Sequence, residues 1–326
     1  MTKADIARKY RKKYPDYNNS KLARIMYKEN KLSFKDTEDA RQKLRYIEGK
    51  SADGKGVKAN QEFLKEARPY NPYALPDSDE EHFEPFFIKG HKRGLIINDI
   101  HLPYQSNEAI TACFDFAKKQ KPDFILINGD LLDFHGLSYF MKDPLKKRFS
   151  EELDMAKTFF QILEKTFKCK IYFKFGNHEE RYDNFLYQKA HELKGVEEFE
   201  LENIIQSRAK GITIIRNKRI VDINGLPIIH GHEFGRAFFS PVNAARGLFL
   251  QAKHSCVKGD CHTTSEHTEP NVYGKIMTTY SIGALCGLTP KWLPMNKWNH
   301  GFAIIDLDGR SKYQFRNYRI YKGEVL

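Results

Sequence analysis

The run Lys170-Ile171-Tyr172-Phe173-Lys174-Phe175-Gly176-Asn177-His178-Glu179-Glu180-Arg181 constrains this chain most. Its alternating Ile, Tyr and Phe read as a buried strand. The strand stops at a glycine, and side chains able to bind a metal or move a proton follow at once. Open α/β sheets place their chemistry at such strand ends. The same form recurs in Asp99-Ile100-His101, Gly129-Asp130, His230-Gly231-His232 and Gly259-Asp260-Cys261-His262, each directly after an apolar run.

Around these clusters the pattern from residue 94 is strand, helix, strand, helix, strand. Strands at 95–97, 124–127 and 171–175 are separated by helices at 107–119 and 151–167, which predicts a mainly parallel sheet with helices on its faces. A mixed helical region at 183–210 follows. After it the chain reads mostly as strands, including 212–215, 219–223, 227–229 and a C-terminal hairpin turning at Asp308-Gly309.

Charge divides the chain unevenly. The 326 residues carry a formal charge of +12. Residues 1–60 hold 17 Lys and Arg against 8 Asp and Glu, leaving 37 against 34 for the rest. Such asymmetry suggests an arm for a polyanion, with a merely solvated face as the equal alternative. Three helices are expected here: 2–14 with Thr2 and Asp5 as a capping box and Ile6, Tyr10 and Tyr14 inward, a second from Asn19-Ser20, and a third from Thr37 to Gly49. The third turns Ala40, Leu44 and Ile47 inward and Arg41, Lys43 and Arg45 outward. A basic last helix is the arrangement of a helix-turn-helix module, so Arg41, Lys43 and Arg45 are candidate nucleic-acid contacts. The expected organisation is a basic helical domain at 1–50, a linker at 51–90 and a catalytic domain at 91–326. The five scattered cysteines suit reduced thiols, and no apolar run nears the ~18 residues of a membrane span. Residues 1–14 are basic with no apolar stretch after them, unlike a secretory leader. The expected location is cytoplasmic.

Taken singly, Asp130 could cap a helix, His101 could be a core histidine and Asn177 could serve a turn. Five clusters in one order outweigh those readings. Asp and His two apart share one side of an extended segment, so Asp99 and His101 can grip one ion. Asp130 can bridge two cations, and the His and Asn donors suit transition metals.

The series D-x-H, G-D, G-N-H-E, H and G-x-x-H resembles the calcineurin-like metallophosphoesterase superfamily over about residues 93–305. The resemblance implies an α/β/β/α sandwich of four layers behind a small all-helical domain. It implies two divalent ions, manganese first, with magnesium, iron, zinc or nickel as alternatives. Asp99, His101, Asp130 and His262 would hold one; Asp130, Asn177, His230 and the residue at 260 would hold the other. The family has histidine where Asp260 stands, and Asp260 is read as a ligating oxygen ahead of a broken site. The implied chemistry is attack by a two-metal-activated hydroxide, with Asp99 and Asp130 in the centre and His178 as general acid. Arg181 and His232 are candidate substrate contacts, and Asp133 and His135 candidate orienting groups. A zinc knuckle from His254, Cys256, Cys261, His262 and His267 ranks well below. Trp292, Trp298 and His300 read as packing, though an exposed Trp298 would suit an unpaired base. The leading function is a DNA or RNA nuclease, DNA favoured, with no membrane role and the oligomeric state left open. A helical arm on this enzyme class resembles phage proteins, for which the location would be the host cytoplasm. The alternatives are a phosphatase or phosphodiesterase on nucleotides or phosphoproteins, or a nucleic-acid-binding protein with a weakened centre.

Overall fold

The computed structural model describes residues 2–49, 75–76, 84–139, 148–235, 243–309 and 312–326. Most of the expected linker, 51–74 and 77–83, lies outside them, as do two residues of the C-terminal turn. The chain forms two compact units, Met1–Glu81 and His82–Leu326.

In the first unit, α1 (Lys3–Lys13), α2 (Asn19–Glu29) and α3 (Thr37–Ile47) start at side-chain caps from Thr2, Asn18 and Asp36. The Thr2–Asp5 capping box forms, filling amide donors that a helix start otherwise leaves bare. A shared core gathers Leu22, Ala23, Met26, Phe34, Ala40, Leu44 and Ile47. The inner stripe of α1 differs from the expectation: Ile6, Ala7 and Arg11 are buried, and Tyr10 and Tyr14 are only half-buried. Arg11 can go inside because the Tyr17 carbonyl, Asn19 and Glu48 take its guanidinium hydrogens. Arg41 and Arg45 stay exposed and Lys43 half-buried on α3.

The second unit stacks two sheets. The smaller comprises β1 (Phe86–Phe87), β6 (Val221–Ile223), β7 (Leu226–Ile228), β8 (Cys256–Lys258), β9 (Ser265–Pro270) and β10 (Ile276–Ser281). They lie in the order β1-β6-β7-β8-β10-β9. The larger sheet is parallel at its centre: β2 (Arg93–Ile97), β3 (Phe124–Asn128), β4 (Lys170–Lys174) and β5 (Thr213–Ile215). β11 (His300–Leu307), β12 (Tyr313–Tyr321) and β13 (Glu324–Val325) continue it antiparallel. Its seven strands run in the order β13-β12-β11-β2-β3-β4-β5.

The parallel strands are mostly apolar because both faces are covered. Leu95, Ile97, Ile125, Ile127 and Phe173 point to one core, which they share with α4 (Asn107–Gln120), α5 (Phe149–Phe167), α6 (Glu180–Lys189) and α7 (Leu201–Arg208). The alternate residues Ile96, Phe124 and Leu126 pack between the sheets against Val221, Ile228 and Val257. A further helix, α8 (Ala244–Ala252), covers the smaller sheet through Leu248, beside Ile229 and Cys256. The result is the expected helix, sheet, sheet, helix order. The last third is mostly strands, as expected, and the α8 segment is one helix that the reading did not anticipate. Its start is marked by Asn243, whose side chain accepts from the Arg246 amide. No helix among the described residues is long and apolar enough to cross a membrane.

Candidate metal centre

The parallel strands β2, β3 and β4 all end at one edge of the larger sheet, and β7 and β8 bring the smaller sheet to the same place. Asp99, Asp130 and Asn177 leave the first sheet there; His230, Asp260 and His262 leave the second.

The backbone makes this convergence possible by turning abruptly. Asp99, His101, Asp130, Asp260 and His262 all have φ between +50° and +61°. This corrects one expectation: Asp99 and His101 do not lie on an extended segment. Left-handed turns at both residues aim their side chains inward, a strained arrangement that such sites sustain only when surroundings fix it. Space is equally tight. A Cβ added at Gly129 would collide with the His230 ring, and one at Gly176 with the Asp130 carboxylate. The two G-D and G-N-H motifs need their glycines for this close approach.

The donor atoms gather around Asp130. His230 Nε2 is 3.3 Å, His101 Nε2 3.7 Å and His178 Nε2 3.8 Å from Asp130 Oδ2. On one side His262 Nε2 is 3.1 Å from Asp99 Oδ1 and 3.2 Å from His101 Nε2. On the other, His230 Nε2 is 3.0 Å from Asn177 Oδ1 and 3.9 Å from Asp260 Oδ1.

These atoms fit metal ions. Asp99 Oδ1 is buried with no hydrogen-bond donor on it, an uncommon state for a carboxylate oxygen unless something else satisfies it. His230 Nδ1 donates to the Asn128 carbonyl at 2.7 Å, and His101 Nδ1 faces Asp133 Oδ1 at 3.4 Å. Each ring thereby turns Nε2 toward the centre, the usual arrangement of a ligating histidine. Among the described residues, three groups of side chains have donor atoms close enough to share an ion: His101 with His262 and Cys286; His101 with Asp130 and His178; Asp99 with Asp130 and His230.

The charges are held by mutual pairing. Burial opposes the charged ring of His101, but Asp133, Asp99 and Asp130 outweigh it and push its pKa up to about 10. His230 is raised in the same way, against burial, chiefly by Asp130. Burial also works against charged Asp130 and Asp99, yet the surrounding histidines hold both well below the usual carboxylate range. Asp260 goes the other way: burial raises it, assisted by Asp130 and Asp99 and opposed by His230. His178 is lowered, mainly by burial.

The remaining candidates surround the centre. Asp133 lies 3.4 Å from His178 Nδ1, whose proton goes to the Asp133 carbonyl at 2.9 Å. Arg181 donates to that same carbonyl at 2.7 Å and to His178 Nε2 at 2.9 Å. His232 Nε2 meets Glu180 at 2.9 Å, with its ring 5.4 Å from that of His230. His135 sits in a single turn, His135–Leu137, beyond Asp133. His254 and His267 bond to the Ser255 carbonyl and to Glu269, so only His262 of the zinc-knuckle set enters the centre. His300 bonds the Cys286 carbonyl at 2.9 Å.

Sequence reasoning missed four supports. Cys286 Sγ lies 3.8 Å from His262 Nδ1. The buried Glu179 carboxylate accepts from the amides of Asp130, Leu132 and Gly176 at 2.8–3.0 Å, tying two strand-end loops together. Lys174, fully buried at the end of β4, meets Glu233 Oε1 at 2.8 Å. Glu233 in turn accepts from the amides of His230 and Gly231. A lysine inside an otherwise apolar strand was a usable signal; Cys286 gave none.

Residues 93–280 match the family model for calcineurin-like phosphoesterases. The "Gene 54 protein" of Mycobacterium phage D29 is 24% identical over 232 residues, covering 67% of this chain and 90% of its own length. Its namesake in Mycobacterium phage L5 is 23% identical over 234 residues, with the same coverage. Among solved structures, a dimetal phosphatase from Danio rerio is 11% identical, with a TM-score of 0.37, covering 73% of this chain and 98% of that one. Vps29 with zinc from Entamoeba histolytica is 13% identical, with a TM-score of 0.37 and coverage of 72% and 96%.

Proposed function

This chain belongs to the calcineurin-like phosphoesterase family, and on that premise we propose that it is a metal-dependent phosphodiesterase acting on nucleic acid, DNA ahead of RNA. The observation that carries the reading is the meeting of Asp99, His101, Asp130, Asn177, His230 and His262, from two sheets, around one carboxylate. Asp99, His101, Asp130 and His262 would hold one divalent ion; Asp130, Asn177, His230 and Asp260 would hold a second. Such ions, with manganese the first choice, would make a water acidic enough to attack and would offset charge on the phosphoryl oxygens.

The chain's own residues supply the rest. His178 is the proton donor to the departing oxygen. Its Nδ1 is fixed on the Asp133 carbonyl, so only Nε2 faces the substrate. A guanidinium can only donate, so the Arg181 contact leaves His178 Nε2 unprotonated at rest. A substrate phosphate that draws the Arg181 fork to itself frees Nε2 to take a proton from solvent and pass it to the departing oxygen. His232, held by Glu180, borders the same rim. Asp260 replaces a nitrogen donor by oxygen, which favours manganese or magnesium in the second position.

Charge is what points the substrate toward nucleic acid. Residues 1–60 carry most of the chain's positive excess, and Arg41, Lys43 and Arg45 on α3 are the proposed phosphate contacts. Holding a strand there raises its concentration at the centre.

The test is manganese-dependent hydrolysis of a phosphodiester dye, a phosphomonoester dye and labelled DNA. It compares the protein with Asp130→Asn and with a truncation lacking residues 1–60. Asp130→Asn is expected to lose roughly a thousandfold on every substrate, since metal clamping contributes several kcal/mol. The truncation should lose DNA cleavage while keeping the dye diester. A preference for the monoester that ignores the truncation would replace the nuclease by a phosphatase.

A further inference from the structure

The chain has two tryptophans, and both lie in the loop between β10 and β11, beside the centre. The Trp298 ring packs edge-on against His262 with centroids 4.2 Å apart, and Trp292 packs edge-on against Trp298 at 5.7 Å. This line of rings runs from a proposed metal ligand to solvent, where Trp292 is 72% exposed and Trp298 half-buried. The loop is pinned in place. The Asn296 amide donates to the carbonyls of Leu288 and Leu293, and its oxygen accepts from the Trp298 amide. Thr263, next to His262, donates to the Lys297 carbonyl at 3.3 Å. Each tryptophan follows a lysine, Lys291 and Lys297, both exposed.

A large bare indole beside a buried polar centre has one economical use when lysines flank it. Bases of an unpaired strand stack on such rings while ammonium groups meet the phosphates between them. A phosphomonoester on a protein side chain could use the lysines but offers the indoles no base to stack on. We propose that the loop 291–298 is a stacking platform for unpaired bases of a strand whose phosphate lies at the metal centre. This inference rests on the nucleic-acid reading above and narrows it to single strands or frayed ends.

Because both tryptophans are in this loop, intrinsic fluorescence reports it alone. The experiment titrates the full-length protein, in chelator so that nothing is cut, with oligothymidylate, an abasic deoxyribose-phosphate strand of equal length, and duplex DNA. Tryptophan emission and the anisotropy of a dye on the strand are read together. Oligothymidylate should quench the emission saturably, and the abasic strand and the duplex should do so weakly. Trp292→Ala should weaken oligothymidylate binding about tenfold by anisotropy, within the usual range for removal of one base stack. Trp292→Phe should restore most of it, and thermal melting checks that both variants fold. Equal affinity of Trp292→Ala and the parent, or equal quenching by the abasic strand, overturns the platform. If manganese-dependent DNA cleavage persists in that case, only the platform falls. If no strand binds and none is cut, the nucleic-acid reading falls with it.

Discussion

In the helical unit, Lys3 pairs with Asp39, Arg8 with Asp5 and Arg41 with Glu38, and each of these side chains is 21–55% exposed. In the centre, Asp99, His101, Asp130 and His230 are at most 6% exposed, and each lies within 4 Å of opposite charge. Water screens the first set, so each pair contributes about 0–1 kcal/mol and can be exchanged with little effect on the fold. The second set has lost its water, so each charge persists only because a partner, a hydrogen bond or an ion replaces it. Exposed charge suits a polyanion that can slide, whereas buried charge suits a reaction that needs fixed atoms. Arg11 with Glu48 is the exception that fits the rule. Its side chains are only about a tenth exposed, and it fastens α1 to the end of α3.

The sharpest way to break this contrast is at Lys174. Lys174→Met leaves Glu233 buried without its cation, and folding stability should fall by about 3–5 kcal/mol in urea denaturation. Manganese titration should also show weaker binding, since Glu233 positions the His230 amide. A loss under about 1 kcal/mol would mean that the centre tolerates unpaired charge as the surface does.

A smaller effect is expected at Glu152. Burial pushes its carboxyl up to about 7, and it accepts from the Phe134 amide at 2.6 Å. Because the folded pKa is raised, the folded state holds the proton more tightly than the unfolded chain. Its contribution is greatest below about pH 4.5 and declines as pH rises through 7. Glu152→Gln should flatten that decline by on the order of 1–3 kcal/mol, read from denaturation midpoints across the interval. An unchanged pH slope would show that Glu152 is not the group responsible.

The smallest stability change should come from Arg41, Lys43 and Arg45. Replacing all three by Ala should alter stability by roughly 0.5 kcal/mol or less per site. Yet DNA binding should weaken, and the slope of log affinity against log salt should drop by up to about 0.9 for each phosphate no longer neutralised. An unaltered slope would move the nucleic-acid face off α3 and erase half of the contrast.

The two regions also differ in how far they could be read from residues alone. The capping box of α1 and the inner stripe of α3 depend on neighbours three or four positions away, and they were legible. Arg11 was not, since its burial depends on Glu48 at the far end of the unit. In the second unit the apolar runs of β2, β3 and β4 and the polar residues after them were legible, because a doubly covered strand leaves an unmistakable pattern. The left-handed turns at Asp99 and His101 were hidden: nothing in D-I-H distinguishes a tight turn from an extended segment. Glu179 and Lys174 stood in view within the same stretch. Their tasks, accepting amides from a neighbouring loop and neutralising Glu233, appear only when β3, β4 and β7 are placed together.

The sequence by itself determined the three helices of the first unit, the strand–helix alternation from β2 to β4 and most of the side chains able to hold metal, because periodicity and motif order are properties of neighbouring residues. Only the tertiary structure decided which nitrogen of each histidine faces inward, which glycines make room and which buried charges are matched. Those outcomes depend on partners far along the chain: the carbonyl that orients His230 belongs to Asn128, 102 residues away.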